Sequence, residues 1–184
     1  MTAYWVTGGS TSINLDLAAL HGTGIELAEK NPVRNTAEPH SGFAYGFKVL
    51  RAMVPDTLQF VNTTTGVDWQ NRRGTILHGG SLNLRLVGIP IGLNASNFLF
   101  GYDPTRAAGG YHLSAKVTML GRVVLFEIER VRLAFDPVTL RLELHEFSLT
   151  IATEVSGVLE VHTGKDVTRT LVGQGRATVQ CEAL

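Results

Sequence analysis

The sequence predicts an all-β protein, an antiparallel β-barrel of eight or nine strands, preceded by a short N-terminal helical segment. Three observations lead there. From Phe43 onward apolar residues recur with a period of two, as in strands with one buried and one polar face. No stretch of helical period separates those strands, which argues against βαβ units. Two turns assigned independently, at Gly121-Arg122 and at Asp136–Thr139, generate one contiguous apolar face.

The N-terminal segments Ile13–Leu20 and Ile25–Lys30 have helix-forming composition, with Gly22 and Gly24 between them. Pro32 and Pro39 bracket a polar connection, so residues 1–42 are expected to form a helical arm and loop, and residues 43–184 the barrel. Phe43, Tyr45, Phe47 and Val49 alternate with small or polar neighbours, as do Leu82, Leu84 and Leu86. The charge-free run Leu86–Tyr102, continuing through Pro104 to Gly110, carries Gly and Pro and reads as a mobile cover over the barrel mouth. Tyr111, Leu113, Ala115, Val117 and Met119 alternate with polar residues.

A two-residue loop at Gly121-Arg122 sets Val117 opposite Phe126, Ala115 opposite Ile128 and Lys116 opposite Glu127. The turn around Asp136–Thr139 sets Phe135 opposite Leu140 and, further down, Ile128 opposite Phe147, Phe126 opposite Leu149 and Glu129 opposite Glu146. At Glu129-Arg130 and His145-Glu146 the apolar phase switches in both strands, as if the two halves of one long hairpin buried opposite faces; a bulge is the alternative. Gly157–Val161 and Val167–Val172 read as a further hairpin, with Gly173-Gln-Gly175 breaking the chain before a last strand, Arg176–Cys181.

Composition narrows function by exclusion. Lys plus Arg and Asp plus Glu number 16 each, which removes the basic excess behind non-specific nucleic-acid binding and polybasic membrane attachment. One cysteine, Cys181, permits neither an intramolecular disulfide nor a cysteine cluster. The N-terminus lacks the basic and apolar regions of a signal peptide, so a cytoplasmic location is expected. Leu86–Tyr102 is too short and too interrupted to span a membrane.

Motifs are sparse. Ile76-Leu-His-Gly-Gly80 resembles the His-Gly-Gly of hot-dog thioesterases, but Ser81–Leu86 alternates as a strand and Gly-Ile-Pro lies just beyond it, so the motif reads as a strand-end turn. Gly8-Gly9-Ser10, His21-Gly-Thr-Gly24 and Gly173-Gln-Gly175 lack the completions of phosphate-binding loops and also read as turns. The six histidines show no two-ligand spacing on a helix, so no metal and no cofactor is expected. Glu129 and Glu146, if both faced inward, would repel, and one pKa would rise.

The predicted architecture resembles the allene-oxide-cyclase and dirigent barrels and the small bacterial cyclases of spirotetronate and polyether pathways. Leu171-Val-Gly-Gln-Gly-Arg-Ala-Thr178 is similar to a Gly-Arg-Ala-Gln-Gly stretch of dirigent proteins, in a different order. The resemblance implies a cofactor-independent cyclase or isomerase of natural-product biosynthesis that folds its substrate in an apolar cavity, where orientation alone removes much of the barrier. A non-catalytic carrier of an apolar ligand and an assembly protein are the rival readings.

From the residues themselves, Phe126, Ile128 and Phe147 are the expected ligand-binding row, with Tyr45 beside them. Arg130, His145 and Tyr111 are the candidate catalytic groups at its mouth. The expected partner is an apolar small molecule, with no nucleic acid or membrane and with a homodimer as an option.

Overall fold

Thr2–Leu15 is a strand, β1, the longest in the protein. Its Thr, Tyr, Trp and Val residues suit extended backbone, and it sits inside the sheet between the C-terminal strand and its neighbours. The expectation of a helical arm before a separate barrel is therefore corrected. The helix that exists, α1 (Leu17–Gly22), begins only after Asp16 caps it by accepting from the Ala19 N–H at 2.9 Å. Ile25–Leu27, expected as helix, is β2, an edge strand paired with Leu86, Arg85 and Leu84.

The remaining elements are β3 (Val33–Arg34), β4 (Tyr45–Lys48), β5 (Gln59–Thr63), β6 (Gly66–Arg73), β7 (Ile76–Leu86), β8 (Gly92–Tyr102), β9 (Tyr111–Val117), β10 (Gly121–Glu129), β11 (Leu133–Asp136), β12 (Arg141–Ile151), α2 (Thr153–Thr163) and β13 (Leu171–Ala183). The computed structural model describes residues 1–53, 55–106 and 109–184.

Among the described residues thirteen strands form one curled antiparallel sheet, a half-barrel, and the eight or nine strands counted from sequence are not what is found. The main path runs β2-β7-β8-β9-β10-β12-β13-β1-β5-β6, with β3, β4 and β11 pairing alongside. An isolated bridge from Val49 to His78, with the Leu50 N–H donating to the Leu77 carbonyl at 2.8 Å, ties the end of β4 back to β7. Most of the inner face is apolar and closely packed: Phe60, Leu82, Ile128, Leu142, Leu149 and Ile151 are among its fully buried side chains.

The hairpin registers are partly as expected. Strand β10 meets β12 with Phe126 opposite Ile151 and Ile128 opposite Leu149. Leu133 meets Leu144, and Phe135 meets Leu142. Each pairing is displaced by two residues from the expected one, which leaves every side chain on its expected face. The β9–β10 turn differs more. Gly121 pairs with Val117 around a three-residue loop, Thr118–Leu120, in which Met119 takes the positive φ of 69°. Lys116 therefore faces Arg122, and Glu127 faces His112.

Both halves of the long hairpin bury the same face, because irregularities absorb the phase change. On one side the chain breaks at Arg130, which has φ 60°, before β11. On the other, Leu144 pairs with Ala177 and Phe147 with Gly175, so His145 and Glu146 bulge against Arg176 alone.

Three other expectations are corrected. The segment expected to be a cover is β8, a central strand hydrogen-bonded to β7 and β9; part of its expected continuation, residues 107–108, lies outside the described residues. The expected hairpin at Gly157–Val161 is helix α2, with Val155 and Leu159 facing the sheet and Gly164 closing its C-terminus in the left-handed region. Strand β13 runs unbroken through Gly173-Gln-Gly175. Glycine is needed there because a Cβ at Gly175 would lie 2.4 Å from the Phe147 ring, and one at Gly173 2.4 Å from the Asn14 carbonyl.

Gly8-Gly9 is likewise no turn: both are paired within β1, opposite Gln180 and Val179, just after a bulge at Thr7. Gly9 has φ 116°, and a Cβ on it would lie 2.3 Å from the Thr178 carbonyl oxygen; a Cβ on Gly8 would meet nothing within 4 Å. Gly9→Ala is expected to cost about 2 kcal/mol in urea unfolding, and Gly8→Ala less than about 1 kcal/mol. Equal effects would show that the close approach of the Thr178 carbonyl is not what requires glycine at position 9.

Candidate functional site

The inner face is not filled along its whole length. Leu82, Leu84 and Leu86 project from one side of β7, and Leu113, Ala115 and Val117 from one side of β9. Around Leu82 and Leu113 the space is packed by Ile13, Phe47 and Phe98, leaving a void of only 20 Å³. Toward Leu84 and Val117 no large side chain completes the core. A groove of 460 Å³ opens there, walled by Ile25 of β2, Leu93 of β8, Val123–Leu125 of β10 and Val155, Val158 and Leu159 of α2.

Twelve of the fifteen lining residues are aliphatic. The three charged ones differ in their commitments. Arg85 donates to Glu26 at 2.6 Å and to Glu29 at 3.1 Å. Glu154 is held by Arg106 at 2.7 Å, which keeps its carboxyl below the usual range. Arg122 donates to the Asn97 carbonyl at 3.1 Å and approaches the Ser114 hydroxyl at 3.4 Å. Among the described residues no carboxylate lies within 4 Å of it. The groove is thus an apolar slot with one guanidinium at its rim that no carboxylate among the described residues neutralises.

The residues singled out from sequence lie elsewhere. Phe126, Ile128 and Phe147 do come together, but at 1–3% exposure they are packing of the filled core, and they line neither the groove nor the other cavities. A ligand row at those positions is corrected accordingly: Gly175 brings the neighbouring backbone onto the Phe147 ring and closes the space. Tyr45 is half-buried on β4 opposite Ile13. Tyr111 stacks with Phe100 and Tyr102, with the Arg72 guanidinium 4.9 Å from its ring, around a void of 10 Å³; burial raises its phenol pKa.

Arg130 and His145 do share a cleft, with Arg132, Glu146 and Arg176, at the opposite end of β10 from the groove. Tyr111 is not part of it. The carboxylate pair expected from register does not form either. Glu129 lies opposite Ser148, and hydrogen bonding from Arg169 at 3.1 Å holds its carboxyl below the usual range.

The groove is not legible in the sequence because one wall, Glu154, Val155, Val158 and Leu159, belongs to α2. Val155, Val158, Leu159 and His162 have helical spacing, but the valines and Gly157 are poor helix formers that read as strand. Leu84 and Leu86 were visible as an apolar row, without any sign that their face would lack a filler. No helix among the described residues is long and apolar enough to cross a membrane.

No protein-family model and no curated protein sequence matches the chain. Among solved structures, the crystal structure of the C-terminal domain of HtaA from Corynebacterium glutamicum is similar, with a TM-score of 0.54 over 96% of this chain and 99% of that one, at 13% identity. At that identity the likeness is one of fold: this chain adopts a curled all-β architecture that the HtaA domain also has.

Proposed function

We infer that the protein binds a small, mostly apolar molecule carrying one anionic group, seated in the groove between α2 and the open end of the inner face. The observation that carries this is the aliphatic 460 Å³ groove with Arg122, bonded to a backbone carbonyl but to no carboxylate among the described residues, at its rim. Its volume is that of a small-molecule site, and burying an alkyl or ring system there gains roughly 25 cal/mol per Å² of apolar surface removed from water. A carboxylate or sulfonate beside Arg122 would take up guanidinium donors that now reach only a carbonyl and a distant hydroxyl. Binding and release unchanged, a carrier's task, needs nothing more than this lining supplies.

Fluorescence titration with 11-(dansylamino)undecanoic acid tests the reading. The probe is expected to bind with blue-shifted emission and a Kd in the micromolar range. Val158→Trp projects a ring into the groove from a half-exposed position and should weaken binding at least tenfold with an unchanged melting temperature. Arg122→Gln should remove the preference for the acid over its methyl ester. Binding unaffected by Val158→Trp would place the ligand elsewhere. Recovery of a cyclised isomer, after incubation with a compound that co-purifies, would instead make the groove the cavity of a cyclase.

A further inference from the structure

We propose that the cleft formed by Arg130, Arg132, His145 and Arg176 binds the phosphate group of a small phosphorylated molecule, at a site separate from the apolar groove. It lies at the other end of β10, roughly 20 Å along the strand from Val124. The cleft has a volume of 560 Å³. Three guanidinium groups and an imidazole line it against one carboxylate, Glu146. In a chain with equal numbers of acidic and basic residues, that is a local excess of positive charge.

The donors there are largely unspent. Among the described residues no carboxylate lies within 4 Å of Arg130 or Arg132. Glu143 approaches Arg176 and His145 only at 3.7 and 3.8 Å, beyond hydrogen-bond length, and the buried Nε of Arg176 has no partner. Guanidinium groups in this state suit a phosphate, whose several oxygens accept paired N–H donors.

The backbone is also irregular at this place and on both sides of it. The bulge of β12 sets His145 and Glu146 against Arg176. The break after β10 places Arg130 in the left-handed region, and the Arg132 carbonyl accepts from the His145 N–H at 2.9 Å. A bulge re-aims side chains, and a left-handed arginine costs stability wherever it stands. Both distortions turn charged side chains toward one cleft.

Isothermal titration of the full chain with sodium phosphate and with glycerol 3-phosphate at pH 7.5, in 50 mM KCl, tests this. Phosphate is expected to bind with a Kd below about 1 mM and to be displaced by the ester, whereas added chloride or acetate at equal ionic strength should not compete. Cosedimentation with phosphatidylcholine vesicles containing phosphatidic acid distinguishes a lipid headgroup from a free phosphate ester as the source of the group. Arg132→Gln, at an exposed position whose backbone contact to His145 survives, should weaken phosphate binding about tenfold and leave dansyl-probe binding in the groove unchanged. Arg130→Gly should weaken it similarly while raising the melting temperature by about 2–4 °C, because glycine relieves the left-handed strain. No heat at 10 mM phosphate, or binding that survives both variants, would overturn the proposal.

Discussion

Replacing Arg106 by alanine is expected to destabilise the protein by about 3–5 kcal/mol, the cost of stranding a buried carboxylate. Glu127 is 5% exposed and lies on the face of β10 opposite the filled core. Its carboxylate accepts from the Arg106 Nε at 2.9 and 3.1 Å. The same guanidinium donates to both oxygens of Glu154, at 2.8 and 2.7 Å, in the first turn of α2. One side chain from the loop after β8 thus neutralises a buried charge and clamps the helix to the sheet.

Beyond its direct connection to β12 and the Ala152 N–H donating to the Leu125 carbonyl at 3.2 Å, helix α2 has little side-chain anchorage at that end. Its N-cap is Ala152, with no side-chain bond to the free N–H groups, and Gly157 within it is a poor helix former. Leu159 packs below, and Ser156 is bonded to Asp166 further along. Arg106→Ala should therefore act on the groove as well as on stability. Urea unfolding measures the first effect, and the dissociation rate of the dansyl probe measures the second, which should rise. The double variant Arg106→Ala, Glu127→Gln removes the stranded charge and should recover a large part of the loss. Without such recovery, packing by the arginine stem is what stabilises the loop, and the charge argument fails.

How much of this was legible in the sequence depends on the distance over which each interaction acts. Period-two alternation is local, and it located β7, β9, β10 and β12 and assigned Phe126, Ile128 and Phe147 to one face. Register across the hairpins rests on turn geometry. There the left-handed Met119 and Leu140, residues that carry no turn signal, moved the pairings without changing the faces of β10 and β12. The glycine clusters misled because isolated glycines in long strands mark close approach of another backbone or ring, which depends on the partner strand. Pairings such as Arg106 with Glu127 or Arg176 with the β12 bulge join residues 21 and more positions apart through a loop or a sheet. No spacing rule reports them. The functional groups nearest to legible were Arg130 and His145, which marked the phase change; that the mark meant a cleft with Arg132 and Arg176 required the third strand.

The second large effect is a loss of stability on mild acidification, centred on His78. Its side chain lies inside the half-barrel at 3% exposure, and burial lowers its pKa to about 4. Nε2 is 2.7 Å from the Thr11 hydroxyl, while Nδ1 has no partner. A neutral ring satisfies one nitrogen through Thr11, whereas an imidazolium would hold its charge away from water, and the neighbouring Phe98 and Ile76 backbone offsets only part of that cost. The unfolded chain protonates this histidine near pH 6.5 and the folded chain only near 4, so between those values the unfolded state holds more protons and stability falls as pH falls. The loss should reach about 2 kcal/mol at pH 5 and about 3 kcal/mol at pH 4, and vanish above pH 7. His40 adds to it in the same direction, since burial and then Arg176 lower its pKa. The carboxyls of Glu129 and Glu154, both held low by arginine, add their own loss only below about pH 4.5, so the upper part of the window belongs to the histidines. Urea unfolding of the wild type and of His78→Gln at half-unit steps from pH 7.5 to 5 separates these contributions. Glutamine preserves a bond to Thr11 and does not titrate, so most of the slope should disappear; a variant with the full wild-type slope would show that His78 accepts its proton without unfolding the barrel.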